Sequence, residues 1–206
     1  MHDVRVVLQD KPSPTLFDVG ANIGQTVDEF LATFRKPRIY SFEPSPGTFE
    51  ALRLKYGSRE GISLENIALD CHEGTRPFHV TRDHSVNYSL LRPVWNAGGE
   101  EVQVAVETLD GYAGRHGIQS IDLLKIDTQG NDLNVLRGAE QLLSKGRIRL
   151  FSIEVMFAAM YEGQPKLVDI MSFAERMRYE LIGVYEQTYI GNRMNYFNAC
   201  FGYAGN

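Results

Sequence analysis

Short apolar runs alternate along the chain with stripes of apolar residues at helical spacing. Residues 15–19 form a short, mainly apolar run that ends at Asp18-Val19, which is typical of a buried strand. Apolar side chains then recur at helical spacing between residues 23 and 34. The same pattern predicts further strands at residues 38–42, 62–67, 121–127 and 148–155, and helices at 46–56, 133–144 and 166–177. This order indicates an α/β fold with a parallel sheet covered by helices on both faces.

One long segment departs from the alternation. Residues 75–81 and 101–107 both have the pattern of extended strands. Between them, residues 82–99 are polar and aromatic. Loops of this length in compact domains often act as functional lids. We therefore expect residues 82–99 to contact a ligand.

The chain closes with a predicted hairpin. Residues 181–185 and 196–203 indicate two strands, and the polar residues around Gly191-Asn192 indicate the turn between them. We expect one domain over residues 1–206. The first strand begins only about a dozen residues in, so the domain is either minimal or cut from a longer chain.

Composition narrows the class of protein. Hydrophobic residues make up 43% and charged residues 23%, as in soluble globular domains. The formal net charge of -5 argues against nucleic acid as the main partner. No apolar run approaches the roughly 18 residues of a membrane span, and no signal peptide is evident. Cys71 and Cys200 are too far apart in sequence for a metal motif, so we expect buried thiols and a cytoplasmic location.

The end of the first strand predicts a ligand-binding turn. Asp18 precedes Gly20 and Gly24, and glycines allow tight geometry and close approach of a ligand. Three residues separate these glycines, unlike the Gly-x-Gly-x-x-Gly of dinucleotide sites. Asp18 would repel a pyrophosphate but suits the cationic groups of S-adenosylmethionine, and Glu43 is placed to accept ribose hydroxyls. The alternative is a structural turn with a carboxylate that caps the helix.

Several segments together resemble the FkbM family of methyltransferases. They are Phe17-Asp18-Val19-Gly20-Ala21-Asn22-Ile23-Gly24, Ser41-Phe42-Glu43-Pro44, Asn66-Ile67-Ala68-Leu69, Leu124-Lys125-Ile126-Asp127-Thr128-Gln129-Gly130, Leu136-Arg137-Gly138 and Ile153-Glu154-Val155. The resemblance extends over roughly residues 16–203. It implies a class I methyltransferase fold, which is a Rossmann-like three-layer sandwich. In this fold a seven-stranded, mostly parallel sheet ends in an antiparallel hairpin. It also implies S-adenosylmethionine as the methyl donor and hydroxyl acceptors on sugars, glycans and polyketide-type products.

The resemblance carries residue roles with it. It implies donor-loop roles for Asp18, Gly20, Asn22 and Gly24, a ribose-binding role for Glu43, an adenine-side position for Asn66 and Ala68, and a position facing the methyl group for Asp127. The predicted donor site comprises Asp18, Gly20, Ala21, Asn22, Ile23, Gly24, Glu43, Pro44, Ser45, Asn66, Ala68, Ser85 and Asp127. The family often has Glu where this chain has Gln129, which puts any role of that Glu in doubt here. Asp132 keeps a charge nearby.

Methyl transfer to a hydroxyl needs positioning and removal of a proton. Asp127 is the first candidate for the base, with a helix cap as its alternative. Glu154 ends the next strand and reaches the same site or makes a structural hydrogen bond. Lys125 shares a face with Asp127 and orients it, or is a solvated lysine. His84 is a second candidate base or an exposed loop residue. If Mg²⁺ takes part, Asp127 and Glu154 are its expected ligands.

The sequence thus predicts an O-methyltransferase for a hydroxyl of a sugar, glycan or related small molecule. A protein, lipid or nucleic-acid acceptor is the alternative, although residues 127–130 lack the Asn/Asp-Pro-Pro-aromatic signature of nucleic-acid amino-methylation. A non-catalytic S-adenosylmethionine-binding module and a dehydrogenase are further alternatives, and the glycine spacing disfavours the dehydrogenase. Acceptor identity is expected to depend on residues 82–99 and on the final hairpin. The pattern predicts no oligomeric state.

Overall fold

A computed structural model describes residues 7–8, 10–82, 84–95 and 98–205. The strands are β1 Thr15–Val19, β2 Arg38–Phe42, β3 Ile62–Glu65, β4 Ala68–Leu69, β5 Gly74–Val80, β6 Glu100–Glu107, β7 Ile121–Ile126, β8 Ile148–Met156, β9 Tyr179–Ile190 and β10 Arg193–Tyr203. The helices are α1 Gln25–Thr33, α2 Pro46–Tyr56, α3 Leu109–Arg115, α4 Asp132–Arg137, α5 Glu140–Ser144 and α6 Leu167–Arg176. Parts of two predictions lie outside the described residues, namely residues 83, 96 and 97 of the 82–99 segment and residues 1–6, 9 and 206 of the predicted domain.

Seven strands form one sheet in the order β3-β2-β1-β7-β8-β10-β9. The pairs from β3 to β8 are all parallel, and β10 runs antiparallel to both β8 and β9. This confirms the predicted α/β fold with a mostly parallel sheet and a closing antiparallel hairpin. The order reverses at β1, where β2 and β7 lie on opposite sides. Ligands of doubly wound sheets bind outside the carboxyl ends of the strands at such a switch point.

The sheet is buried on both faces because successive strand residues point to opposite sides. Leu16 of β1 and Leu123 of β7 pack in one cluster with Phe30 of α1 and residues of α2. Their neighbours Phe17 and Leu124 pack in a second cluster with side chains from α3, α4, α5 and α6. The two clusters give the three layers of the predicted sandwich.

The helix predicted at residues 133–144 is wrong, because α4 and α5 are separate helices. Gly138 lies between them, and a Cβ there would lie 2.2 Å from the backbone oxygen of Asp70. The Gly138 carbonyl accepts a hydrogen bond from the Asp110 amide, at 2.9 Å. The backbone at Gly138 therefore packs directly against Asp70, and the helix is interrupted at this contact.

The strand predicted at residues 62–67 also ends early. β3 stops at Glu65, and Ala68–Leu69 pairs with β6 in a separate three-stranded sheet of order β4-β6-β5. Sequence analysis missed α3 as well, although Thr108 carried the signal. Its hydroxyl accepts a hydrogen bond from the Gly111 amide at 3.1 Å, which is the geometry of an N-cap.

The small sheet carries the segment that was expected to act as a lid. A third apolar cluster, which includes Phe78, Leu90 and Val104, holds this sheet together. Ser89 pairs with His79 of β5. A short 3₁₀ helix, Ser85–Asn87, precedes this contact. The first half of the predicted loop is therefore tethered to the small sheet.

Two smaller outcomes concern membrane-spanning helices and the cysteines. Within the described ranges, no helix is both long enough and apolar enough to cross a membrane. The two cysteines form no disulfide; Cys200 is buried, as expected, whereas Cys71 is only partly buried. The expectation of burial is therefore wrong for Cys71, which lies in a turn just after β4.

Candidate active site at the switch point of the sheet

A cavity of about 200 Å³ opens where β1, β2 and β7 end, and we call it the turn cavity. Of the residues predicted for the donor site, eight line it, namely Gly20, Ala21, Asn22, Glu43, Pro44, Ala68, Ser85 and Asp127. Lys125 of the predicted catalytic group also lines it. The remaining wall is formed by Val19, Gln25, Thr26, Phe42, Ile67, Leu69, Phe78, Val86, Tyr88, Leu90, Thr128, Gln129 and Asn131.

The glycines of the turn are required by backbone geometry. Gly20 has a φ of +84°, and a Cβ there would lie 2.0 Å from the carbonyl oxygen of Asp127. The Gly20 and Ala21 amides both donate to the Phe42 carbonyl, at 3.0 Å. Because only glycine tolerates this conformation and this contact, the turn joins the ends of β1, β2 and β7 closely.

Gly24 serves the fold and does not line the cavity. It has a φ of +93° and precedes α1, and a Cβ there would meet the Tyr56 ring at 2.3 Å. The Tyr56 hydroxyl donates to the Gly24 carbonyl at 3.0 Å. Gly24 therefore sets the start of α1 against α2, while its neighbour Ile23 points outward and is exposed.

Glu43 stands at the end of β2 with its carboxylate held by backbone. One oxygen accepts from the Asn22 amide and the other from the Ser45 amide, both at 2.9 Å. Burial raises the pKa of Glu43 to about 7, and the two amides act against this rise. Each oxygen keeps a second lone pair, and the side chain lines the turn cavity. The carboxylate can therefore accept further hydrogen bonds from a ligand.

Two predicted donor residues brace Glu43 without lining the cavity. The Asn66 amide donates to the backbone oxygens of Glu43 and Pro44, at 2.8 and 3.1 Å. Ser45 is buried, and its hydroxyl accepts from Thr48 at 3.1 Å. Both residues hold the turn after β2 in place, so the structure places them behind the cavity wall.

Asp18 is fully buried behind the glycine turn and is not among the cavity-lining residues. Neither carboxylate oxygen has a hydrogen-bond partner among the described residues. Burial raises the pKa of Asp18 to about 6, against the lowering effect of Lys125. The nearby Thr26 side chain also lowers the pKa of Asp18. The contact between Thr26 and the Asp18 carboxylate does not have the geometry of a hydrogen bond. The structure thus places Asp18 beside Lys125, in the interior.

Lys125 and Asp127 form an ion pair at the end of β7. The Lys125 Nζ lies 3.0 Å from Asp127 Oδ2. Burial alone would lower the pKa of Lys125, but the carboxylates of Asp127 and Asp18 outweigh burial and raise it. Burial alone would raise the pKa of Asp127. The charge and hydrogen bond of Lys125 and the hydrogen bond of Gln129 outweigh burial, so the pKa of Asp127 is lowered. Both side chains are therefore charged near neutral pH.

Gln129 links Asp127 to Glu154, and sequence analysis did not predict this role. Its amide nitrogen donates to Asp127 Oδ1 at 2.8 Å and lies 3.3 Å from Glu154 Oε2. Gln129 has a φ of +55°, which few residues other than glycine adopt. Burial and the nearby Asp127 raise the pKa of Glu154 to about 9, so Glu154 keeps its proton at neutral pH.

The alternative role of Asp127, a helix cap, is not observed: Asn131 is the N-cap residue of α4, and no side chain makes a capping hydrogen bond there. Asp132 at the start of α4 accepts hydrogen bonds from the Thr128 amide at 2.9 Å and the Gly130 amide at 3.1 Å. Burial raises the pKa of Asp132 to about 6. The turn after β7 is thus stabilised without the Asp127 carboxylate, which remains at the cavity wall.

The structure does not bring His84 to the cavity. His84 is exposed and precedes the 3₁₀ helix, whereas Ser85 lines the wall. The Ser85 hydroxyl donates to the Asn22 side-chain oxygen at 3.1 Å, and this contact connects the small sheet to the glycine turn. Val86, Tyr88 and Leu90, which belong to the 82–99 segment, also line the wall.

A second cavity, of about 180 Å³, lies on the other side of the ion pair. We call it the hairpin cavity, and it is lined by Thr26, Glu29, Phe30, Leu123, Lys125, Asp127, Ser152, Tyr185, Glu186, Asn198 and Cys200. Three residues line both cavities, namely Thr26, Lys125 and Asp127. The ion pair therefore stands in a wall that the two cavities share.

The residues expected to hold Mg²⁺ do not fit a divalent cation. Asp127 presents one oxygen to the Lys125 ammonium and the other to the Gln129 amide group. Glu154 has a pKa raised to about 9, so it is not a ready anionic ligand. Within the described part of the chain, no group of three or more potential metal-ligating side chains is found.

The fold and the turn cavity define the chain as a class I S-adenosylmethionine-dependent methyltransferase. A family model described as the methyltransferase FkbM domain matches residues 18–181. The chain belongs to the FkbM methyltransferase family, and the resemblance noted in its motifs is confirmed.

Known relatives are methyltransferases. The chain is 27% identical over 184 residues to the 2-O-methyltransferase NoeI of Sinorhizobium fredii (strain NBRC 101917 / NGR234), covering 83% of this chain and 75% of that protein. It is 29% identical over 162 residues to the 31-O-demethyl-FK506 methyltransferase FkbM of Streptomyces tacrolimicus, covering 63% of this chain and 61% of that protein.

A solved structure shares the fold. Magnesium protoporphyrin IX methyltransferase (ChlM) from Synechocystis PCC 6803, solved with bound S-adenosylmethionine, matches with a TM-score of 0.55 and 11% identity. The match covers 98% of this chain and 77% of that chain. At this identity the likeness concerns the fold alone.

Proposed function

We propose that this enzyme transfers a methyl group from S-adenosylmethionine to a hydroxyl of a sugar, glycan or related small molecule. The observation that carries the proposal is the position of the Lys125–Asp127 pair in the wall between the two cavities. A donor in the turn cavity and an acceptor in the hairpin cavity would meet at this pair. The names of the two relatives, both O-methyltransferases, support hydroxyl as the acceptor group.

The turn cavity has the features that this donor requires. When bound, S-adenosylmethionine supplies a methyl group made electrophilic by its sulfonium. Glu43 would accept the ribose hydroxyls with the lone pairs left free by Asn22 and Ser45. The buried and unpartnered Asp18 carboxylate adds negative potential behind the turn, which favours a cationic donor.

Asp127 would orient the acceptor hydroxyl and take its proton. Its pKa is lowered, so it is a weak base toward a free alcohol. The acceptor oxygen becomes strongly acidic as it gains the methyl group, so a late transfer to such a carboxylate suffices. Lys125 holds the carboxylate from one side and Gln129 from the other. This fixed orientation contributes to the rate of methyl transfer, because it places the acceptor hydroxyl in line with the methyl group.

The remaining features favour a small acceptor over a macromolecular polyanion. The net charge of -5 offers no general attraction for nucleic acid. The two cysteines form no disulfide, which favours a reducing compartment and is consistent with the predicted cytoplasmic location. No step of this scheme is routed through a divalent cation.

The test is Asp127→Asn, with labelled donor and a panel of glycans and deoxysugars. We expect turnover to fall by about 10²-fold or more, while calorimetry shows donor affinity changed by only a few-fold. Asp10→Asn, an exposed residue outside both cavity walls, is the matched control. Full turnover in the folded Asp127 variant would show that Asp127 is not the proton acceptor. Absence of donor binding in the wild type would overturn the proposed function itself.

A further inference from the structure

The hairpin cavity contains an irregularity that re-aims one side chain. In the pairing of β9 with β10, Thr188 faces Tyr196 and Tyr185 faces Asn198. Two residues of β9, Glu186 and Gln187, therefore lie opposite a single residue of β10, which is a β-bulge. Glu186 has a φ of +51°, a left-handed conformation that non-glycine residues seldom adopt.

The bulge changes which side chains face the cavity. Successive residues of a regular strand point to opposite faces, yet Tyr185 and Glu186 both line the hairpin cavity. The Asn198 amide on the partner strand donates to Glu186 Oε2, which orients the carboxylate. Bulges of this kind commonly occur beside active sites, where they re-aim a side chain.

The charges in the wall set the chemistry of the ligand. Lys125 is already compensated by Asp127, at 3.0 Å. Glu29 on α1 and Glu186 on β9 line the same cavity, and no ion pair to either is found among the described residues. A carboxylate only accepts hydrogen bonds. A ligand here must therefore supply donors, and a ligand carboxylate or phosphate would be repelled.

We propose that the hairpin cavity selects an uncharged, hydroxyl-rich sugar ring and rejects the corresponding uronate. Glu186, oriented by Asn198, accepts hydrogen bonds from ring hydroxyls, and a further hydroxyl of the same ring reaches Asp127. The Tyr185 ring in the same wall gives an apolar surface for the C–H face of the sugar. This assignment rests on the proposed function. It specifies in addition that the acceptor is uncharged and that Glu186 is the residue that recognises it.

The experiment uses matched pairs of methyl glycosides in the gluco, galacto and manno series. Each neutral hexoside is compared with its uronate, which differs only at C6, and a 6-deoxyhexoside is added to each series. Methyl transfer from labelled donor is measured, together with binding to the enzyme saturated with S-adenosylhomocysteine. We expect kcat/KM for the best neutral member to exceed that of its uronate by about ten-fold or more.

Two variants test the residue. Glu186→Gln should raise KM for the neutral sugar and reduce the preference over the uronate to a few-fold, and Glu186→Lys should reverse the preference. Glu180→Gln, at the other end of β9 and outside the cavity wall, should leave both the KM for the neutral sugar and the preference over the uronate unchanged. Donor affinity, measured by calorimetry, should be the same in all three variants, which separates this proposal from the proposed function.

The contrary results are distinct. The proposal is overturned if the wild type takes the uronate as well as the neutral sugar, if no neutral member binds to a donor-competent enzyme, or if Glu186→Lys leaves the preference unchanged. Loss of donor binding in the wild type would instead overturn the proposed function.

Discussion

The two cavities that meet at the Lys125–Asp127 pair are built in different ways. The turn cavity depends on backbone: the Gly20 turn has no room for a Cβ, and two amides hold Glu43. The hairpin cavity depends on side chains that project from α1, β7, β8, β9 and β10, and Glu186 among them is exposed.

If the donor binds in the turn cavity and the acceptor in the hairpin cavity, as we propose, this difference would let one fold keep its donor and change its acceptor. A backbone-built site cannot be altered without disturbing the ends of three strands. Side chains on a hairpin can be exchanged while the sheet stays intact, because the ladder between β9 and β10 depends on main-chain hydrogen bonds. We therefore expect changes at the turn to affect both stability and donor binding, and changes at the hairpin to affect the acceptor alone.

The largest effect is expected for Gly20→Ala. The added Cβ would overlap the Asp127 carbonyl, and the φ of +84° is unfavourable for alanine. We expect a loss of stability on the order of 1–3 kcal/mol and loss of donor binding, measured by denaturant unfolding and calorimetry. Gly47→Ala in α2 is the control, since a Cβ there meets nothing within 4 Å. Equal behaviour of the two variants would contradict the close-approach argument.

An intermediate effect is expected for Glu43→Gln. A glutamine amide nitrogen cannot accept from either Asn22 or Ser45, so one of these hydrogen bonds is lost. We expect donor affinity to fall by about ten-fold, while Glu50→Gln on the surface of the neighbouring helix α2 leaves it unchanged.

The pH dependence of donor binding gives a second test of whether Glu43 contacts the donor. Because the pKa of Glu43 is raised to about 7, and ligand hydroxyls favour its ionised form, wild-type affinity should rise between pH 6 and 8. A Glu43→Gln variant with wild-type affinity and the same pH profile would exclude Glu43 from the donor site.

The smallest effect on donor binding is expected for Glu154→Gln, and its consequence is measured instead as the melting temperature between pH 6 and 9. The pKa of Glu154 is raised to about 9 in the folded protein, from an ordinary value of 4.5. Its contribution to stability is therefore complete below pH 4.5 and is lost as the pH rises toward 9. A neutral glutamine lacks this dependence, so the melting temperature of the variant should rise relative to that of the wild type as the pH rises. Exposed Glu162→Gln should follow the wild type, and parallel curves for Glu154→Gln would contradict the assignment.

Local signals were enough to predict one side of the site. Buried apolar runs marked the strands, and the glycines and acids that end β1 and β2 marked the turn cavity. These features depend on residues close together in sequence, where spacing alone constrains the backbone. The missed α3 belonged to the same category, because Thr108 is a recognisable N-cap.

Long-range contacts explain what could not be predicted. The break between α4 and α5 arises where Gly138 meets Asp70, far away in sequence. The hydrogen bonds of Gln129 to Asp127 and Glu154 require two adjacent strands and a turn with positive φ. No periodicity in the sequence reports contacts of this kind.

The sequence by itself determined the α/β alternation, the family and the location of the glycine turn, because hydrophobic period and glycine spacing act locally on the backbone. Only the tertiary structure decided which carboxylates are charged, because burial and neighbouring ions lower the pKa of Asp127 and raise that of Glu154. It also decided that Glu186 lines the hairpin cavity together with the Lys125–Asp127 pair, because a bulge between β9 and β10 puts Glu186 beside Tyr185 on the cavity side of the strand.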